Sequence, residues 1–252
     1  MKIIERDGFD VFFDETSERA KTFVSLMTGI PRLSLKTAEK LVAVVGGDGT
    51  MLEAFHRYDF KPVFLGINCG HKGFLMNNVS SIDGIANKRF DIHKFPLLEI
   101  KAGNWKSPAL DVYFNRISGK TCKTKVIVDG TVIDERIAGD GIVIASALGA
   151  NGYFAPAGGS AIHPKLSVIC FAPVVRNTPF QIMPMIFPLD SVLEITLLSP
   201  PDEVRGWYDS LELPYFKEIR IKKAKQKLKL AFLEDEDFTA RLVKKIMKVQ
   251  EA

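Results

Sequence analysis

Cysteine is scarce in this chain and scattered where it occurs. Cys69, Cys122 and Cys170 are odd in number, far apart, and never part of a CxxC or Cys/His cluster. That excludes a disulfide framework and a zinc site as organising devices, and a reducing, cytoplasmic setting is the expectation. Long apolar runs are also missing. The longest, such as Val168 to Val175, are strand-length, well short of the roughly 18 residues of a membrane-spanning helix, so no membrane partner is expected. Met1 to Asp7 reads MKIIERD and lacks the apolar core of a secretory leader. Neither sign of charge dominates: Lys and Arg number 34 against 30 Asp and Glu, a formal charge of +4. So mild a surplus suits phosphorylated ligands and gives no reason to expect nucleic acid. Internal repeats and low-complexity segments are absent. With 252 residues and 46% hydrophobic content, the chain can form one large domain or two smaller ones, each with a sizeable core.

What is present is concentrated in a stretch from Val42 to Glu53. Val42-Ala43-Val44-Val45 reads as a strand buried on both faces. It stops at Gly46-Gly47-Asp48-Gly49-Thr50, after which a helix is predicted from about Met51, with Thr50 and Glu53 at capping-box spacing. Such a junction offers free backbone N–H groups at the positive end of a helix dipole, and glycines let a phosphate approach without meeting a Cβ. Asp48 is out of place in a plain anion cradle. A carboxylate there can bind Mg²⁺, hold a sugar hydroxyl or take a proton from one; as a mere turn, Gly-Asp-Gly would need Asp48 only to help cap the helix.

Around this stretch the chain reads strand (Phe9 to Phe13), helix (Glu15 to Met27, stopped by Gly29-Ile30-Pro31), strand, helix (to Tyr58) and strand (Pro62 to Asn68). This is a compact parallel α/β unit whose ligand lies beyond the carboxyl ends of its strands. A short helical piece is predicted around Ser81 to Ala86. From about Phe95 the texture changes to short alternating runs with frequent Gly, Pro, Asn and Asp, including Lys123 to Val128, Gly141 to Ala145, Val168 to Ala172, Val192 to Leu197 and Ile219 to Ile221. These predict a second, largely antiparallel β domain. Lys227 to Phe232 alternates as a separate half-buried strand, with the lysines from Lys222 to Lys229 on a solvated face. Asp237 to Val249 is a terminal amphipathic helix with Phe238, Leu242, Val243 and Ile246 on one side.

A second dense stretch runs from Gly139 to Gly159. It combines a buried strand, small-residue loops and a single tyrosine. Small residues leave room for a flat ligand, Tyr153 can stack on a base, and Asp140 and Asn151 can hydrogen-bond polar edges; alone, the stretch reads rather as a glycine-rich hairpin region with a core tyrosine.

Taken together, these segments resemble the NAD kinase family. Gly-Gly-Asp-Gly-Thr is shared with lipid kinases and, more distantly, phosphofructokinases. Five later features are similar to NAD kinases specifically: Gly66-Ile67-Asn68 through Phe74-Leu75, Asn115 before the Val126 to Gly130 strand and turn, Gly139 to Gly159, His163-Pro164, and Trp207-Tyr208-Asp209. The chain departs from the family's pattern in places. Arg116 stands where the family has Glu after Asn, Leu148 to Tyr153 lacks the family's hydroxyls, Lys72 replaces an aliphatic residue, and Pro156 replaces a serine. Arg116 and Lys72 are readable either as partners for phosphate oxygens or as surface charges.

The resemblance implies a Rossmann-like α/β domain over 1–95, a β-rich dinucleotide-binding domain over 96–230, and a C-terminal segment, 231–252, that returns to the first domain. It implies phosphoryl transfer from ATP or polyphosphate to the 2′-hydroxyl of the adenosine ribose of NAD, with Mg²⁺ accompanying ATP. Asp48 is then the catalytic base or hydroxyl anchor. Gly46, Gly47, Gly49 and Thr50 shape the phosphate cradle, and Phe74 walls it. Asn115, Arg116, Asp140, Asn151, Gly152 and Tyr153 are the NAD-binding set. A homo-oligomer, dimer or tetramer, is part of the same resemblance. Two alternatives remain: a related kinase with another nucleoside or diphosphate acceptor, and a catalytically weak dinucleotide-binding protein.

Overall fold

The computed structural model describes residues 1–6, 9–27, 39–70, 73–79, 89–176, 183–234 and 236–247. The helix stop at Gly29 to Pro31, Lys72 and the piece around Ser81 to Ala86 lie outside these residues. The chain divides into two units, Met1–Phe95 with Leu228–Ala252, and Pro96–Lys227.

The first unit opens with β1 (Lys2–Arg6), β2 (Phe9–Phe13), α1 (Glu18–Leu26), β3 (Leu41–Gly46), α2 (Asp48–Arg57) and β4 (Val63–Asn68). β2, β3 and β4 pair in parallel, and β1 adds an antiparallel edge that the sequence pattern did not predict. Every residue of β3 is buried, which is why its run of apolar residues is unbroken rather than alternating. One face packs Val11, Ala43, Val45, Leu65 and Ile67 with Ala20 and Val24 of α1. On α2, Phe55 is buried and meets Phe64 edge to face at 4.9 Å, a burial worth roughly 1.5–3 kcal/mol for such a side chain.

The helix boundaries correct the sequence reading. α1 begins at Glu18 instead of Glu15, with Ser17 accepting the Ala20 N–H. The reason is local: Asp14 draws in the Thr16 N–H at 2.9 Å, and this turn competes with helix. α2 begins at Asp48 instead of Met51. Gly47 is the extended cap residue, and Thr50, three residues on, turns its hydroxyl back to accept the Gly47 N–H. Glu53 is exposed and plays no part in the cap.

The second unit is built of β5 (Phe90–Ala102), β6 (Trp105–Ala109), β7 (Asp111–Arg116), β8 (Cys122–Val128), β9 (Thr131–Ser146), β10 (Val168–Arg176), β11 (Met185–Pro188), β12 (Leu193–Leu197), β13 (Val204–Tyr208), β14 (Leu211–Leu213) and β15 (Glu218–Leu233). The first residues of β5 and the last of β15 belong to the first unit. The β5–β6, β7–β9, β7–β13, β8–β9, β8–β12, β9–β10, β10–β11, β12–β15 and β13–β14 pairings are all antiparallel. β9 is its spine: the first part pairs with β8, and the last part is flanked by β7 and β10. The β8–β9 hairpin turns at Asp129-Gly130, both at positive φ, as a two-residue Asp-Gly hairpin requires.

β15 is a single strand of 16 residues where two had been predicted. Consecutive exposed lysines, Lys222 and Lys223, break the alternation without ending the strand. Its Lys229–Ala231 portion pairs in parallel with Val63–Leu65 of the first unit's sheet. The chain ends in α3 (Phe238–Met247), capped by Asp237, whose carboxylate accepts the Thr239 and Ala240 N–H groups. The buried face of α3 carries Phe238 and Arg241, whereas Val243, predicted to face inward, is exposed. The Ile246 side chain and residues 248–249 lie outside the description.

Candidate active site

In the first unit, the carboxyl ends of β3 and β4 carry two loops that approach closely. The Cys69 N–H donates to the Gly46 carbonyl at 2.7 Å, and a Cβ placed on Gly70 would lie 3.3 Å from the Gly47 Cα. The glycines of the motif do different jobs. A Cβ on Gly46 would sit 2.4 Å from the Thr50 hydroxyl, so Gly46 makes room for Thr50 and not for a ligand. Gly49, by contrast, is exposed and faces open space. Thr50 is buried and shapes the loop from within. The cradle is therefore the N-terminal turn of α2, whose first N–H groups have no partner inside the helix.

Asp48 opens that turn. One of its carboxylate oxygens accepts the Phe74 N–H at 2.9 Å and the other the Leu75 N–H at 2.8 Å. Two backbone donors on one peptide segment hold the carboxylate in a single orientation. The segment is itself held in place by close contacts. Gly73 has φ +57, and a Cβ there would lie 2.2 Å from the Asn68 amide nitrogen, so only glycine fits. Asn68 accepts from Gly70 and donates to Asn78. Phe74 is buried, and the Lys245 ammonium lies 4.7 Å from its ring centroid. Asn77, also buried, donates to the carbonyls of Gly66 and Ala231 and accepts the Leu233 N–H. A cavity of about 410 Å³ beside this segment is lined by Phe74, Asn78, Arg241, Lys244 and Lys245, among others.

In the second unit, Asn115 near the end of β7 donates to the Tyr153 hydroxyl at 3.1 Å. Tyr153 meets Tyr113 edge to face at 4.8 Å, and Tyr113 stacks on Trp207 at 5.5 Å. Burial first, then the nearby Asp111 and Tyr153, raises the Tyr113 phenol, which stays protonated at neutral pH. Arg116 donates through Nε to Asp140 at 2.6 Å and through Nη1 to the Ser118 carbonyl at 3.2 Å. Arg116 is thus paired with a neighbouring carboxylate, both side chains being more than a third exposed. Asn151 is buried in a 3₁₀ turn, and its amide nitrogen donates to the Ala147 and Ile162 carbonyls. It braces the loop that presents Tyr153. Gly152 is exposed. A Cβ on Gly141 would lie 1.9 Å from the Phe114 carbonyl oxygen, so this glycine serves close strand approach.

Asn77 and Arg241 were not anticipated from sequence, and Asp209 was read there only as part of the Trp207-Tyr208-Asp209 segment; each acts on backbone groups far away in the chain. Among the described residues, no group of three or more His, Cys, Asp or Glu side chains could hold a metal ion, and no helix is long and apolar enough to cross a membrane. Cys122 and Cys170 are buried, which pushes both thiols up to about 12 and leaves them inert.

The family model for the ATP-NAD kinase N-terminal domain matches residues 29–87, and that for the ATP-NAD kinase C-terminal domain matches residues 111–233. An NAD kinase of Staphylococcus epidermidis is 30% identical over 213 residues, 76% of this chain and 78% of its own. An NAD kinase of Geobacillus stearothermophilus is 31% identical over 212 residues, 76% and 77% of the two chains. The crystal structure of an NAD kinase from Archaeoglobus fulgidus in complex with ATP shares the fold, with a TM-score of 0.74 at 23% identity over 94% of this chain and 97% of its own. Yeast NADH kinase complexed with NADH shares it with a TM-score of 0.69 at 19% identity, over 84% and 67%.

Proposed function

The chain belongs to the NAD kinase family, and we propose that it transfers the terminal phosphoryl group of ATP to the 2′-hydroxyl of the adenosine ribose of NAD, with Asp48 acting on that hydroxyl. The observation that carries the role of Asp48 is its clamp: a carboxylate at the first position of α2, fixed by the Phe74 and Leu75 N–H groups. A clamped carboxylate retains lone pairs for one further hydrogen bond, that of a sugar hydroxyl. In the transfer, the ribose oxygen forms its bond to the terminal phosphorus, the bond to the departing ADP oxygen breaks, and the hydroxyl proton passes to Asp48. Such general-base help contributes roughly 10²–10⁴-fold.

The turn at Gly47, Asp48 and Gly49 faces the phosphates, and Phe74 borders them. Asn115 and Tyr153 hold the dinucleotide, with Tyr113 and Trp207 behind as an aromatic stack. Arg116 and Asp140 act as a neutral pair at its edge, and Asn151 and Gly152 shape the Tyr153 loop. Mg²⁺ enters with the nucleotide as part of the substrate and supplies neutralisation of phosphate charge. A cytoplasmic location, a dimer or tetramer, and polyphosphate as an alternative donor belong to the same reading.

The test is NADP formation from NAD, ATP and Mg²⁺ by the purified protein beside Asp48→Asn. Robust activity that falls by at least about 10²-fold in the variant supports the assignment. A clear preference for another acceptor in a panel of nucleosides and dinucleotides would replace NAD as substrate. NAD binding without turnover would leave a binding protein.

A further inference from the structure

Arg241 is a charged residue on a terminal helix, yet it is only 8% exposed. Its Nη1 donates to three backbone carbonyls: Met76 at 2.6 Å, Gly73 at 3.1 Å and Phe74 at 3.3 Å. Its Nε donates to Glu236 at 2.8 Å, and the guanidinium carbon lies 4.8 Å from the Phe232 ring centroid. A buried guanidinium is costly unless paired and hydrogen-bonded, and here it is both. The choice of carbonyls is informative. The Gly73 carbonyl and the Phe74 N–H belong to one planar peptide unit, and the Phe74 carbonyl and the Leu75 N–H to the next. Those two N–H groups are the ones that hold the Asp48 carboxylate. The guanidinium therefore grips the oxygen ends of the same two peptide planes whose hydrogen ends orient Asp48.

We propose that Arg241 is a positioning residue for Asp48, acting through these two peptide units. It sets the tilt of both planes. It also polarises both amides in the direction that strengthens N–H donation to the carboxylate, as successive hydrogen bonds in a chain do. Asp48 and Arg241 lie far apart in sequence, so this contact links α3 to Asp48 through the Gly73 to Leu75 backbone. The inference rests on the assignment of Asp48 as the group that acts on the hydroxyl.

The experiment compares Arg241→Gln, Arg241→Lys, Asp48→Asn and the Asp48→Asn/Arg241→Gln double variant, with Phe238→Leu as a control that loosens α3 without removing a carbonyl contact. Steady-state kinetics and thermal melts are measured for each. Arg241→Gln is expected to lower kcat roughly 10- to 100-fold, the scale of a small misplacement of a catalytic group, with KM for NAD and ATP within about twofold. Arg241→Lys should recover part of the loss. In the Asp48→Asn background, Arg241→Gln should cost nothing further, because the group it positions is gone. Phe238→Leu should lower the melting temperature and leave kcat in place. Three results would overturn the inference: Arg241→Gln with unchanged kcat beside an inactive Asp48→Asn, equal losses in both backgrounds, or a kcat loss in Phe238→Leu matching that of Arg241→Gln. Asp48→Asn with wild-type kcat would instead remove the Asp48 assignment itself, and this inference with it.

Discussion

The two sets of candidate site residues are built by different means. In the first unit, Asp48 is set by backbone donors, Phe74 and Leu75 N–H, and their peptide units are held in turn by Arg241. In the second unit, Asn115, Asp140 and Tyr153 are set mainly by other side chains: Asn115 with Tyr153, Arg116 with Asp140, and Tyr113 with Tyr153 and Trp207; Asn151 is the exception, bonding the Ala147 and Ile162 carbonyls. Backbone donors are present whatever the side chain, so a group they hold is indifferent to most substitutions nearby. Side-chain pairs change whenever either partner changes. The departures from the NAD kinase pattern follow this division. Apart from Lys72, they fall in the second unit, at Arg116, in the Leu148 to Tyr153 loop and at Pro156. Under the proposed function, the group that acts on the hydroxyl is kept and the side chains proposed to hold NAD are the ones that vary.

The largest test of this contrast is to disturb the backbone that holds Asp48 without touching the carboxylate. Gly73→Ala places a Cβ against the Asn68 amide at a residue with φ +57. Accommodating it costs about 1–3 kcal/mol of stability. Because Gly73 directly precedes the two donors, kcat is expected to fall about tenfold or more, with KM for NAD nearly unchanged. A melt and a steady-state assay together check this. A stable variant with full kcat would mean that the segment tolerates distortion and that the backbone clamp matters less than its geometry indicates.

A smaller effect is expected from the side-chain side. Arg116→Glu sets a second carboxylate beside Asp140 in place of an ion pair at 2.6 Å. Both partners are more than a third exposed, so the pair is worth at most about 1 kcal/mol, or roughly fivefold in an equilibrium. KM for NAD should rise by up to that factor while kcat stays within about twofold. A sharp rise in kcat would show instead that arginine impairs a site built for glutamate.

How much of this was legible beforehand follows the same division between local and distant causes. The parallel α/β unit and the antiparallel β domain were readable because buried strands and glycine turns are local patterns. Asp48 stood out because a carboxylate in a glycine cradle is chemically odd. Helix starts were misplaced where a side chain bonded nearby backbone, at Asp14 and Thr50. Arg241 was hidden because an arginine on an amphipathic helix reads as a solvated position, and its carbonyl partners lie more than 160 residues away. Asn77 escaped for a similar reason, since its Ala231 and Leu233 partners are just as remote in sequence. The lengths of β9 and β15 were missed because exposed residues within a strand look locally like a break.

The smallest effect on catalysis, and one that probes the second unit alone, concerns Asp111. Asp209 is buried at a hairpin turn, and one of its oxygens accepts the Leu110 and Asp111 N–H groups at 2.8 and 3.1 Å. The Asp209 N–H donates back to Asp111 at 3.4 Å. Burial first, and the Asp209 charge second, push the Asp111 carboxyl up to about 8 from an ordinary 3.8. Between these values the folded protein binds a proton that the unfolded chain has released. This contribution to stability is therefore complete at low pH, declines as pH rises from about 4 towards 8, and is gone above that. Asp111→Asn keeps an oxygen for the Asp209 N–H and removes the titration. Relative to the native chain, its melting temperature should climb by a few degrees between pH 6 and pH 9, with kcat at fixed pH unaltered. Parallel melts with pH and unchanged activity would mean that Asp111 is ionised in the folded protein and that the Asp209 turn tolerates two charges. A gap that widens with pH would show that Asp111 holds a proton in the folded second unit, independent of the chemistry at Asp48.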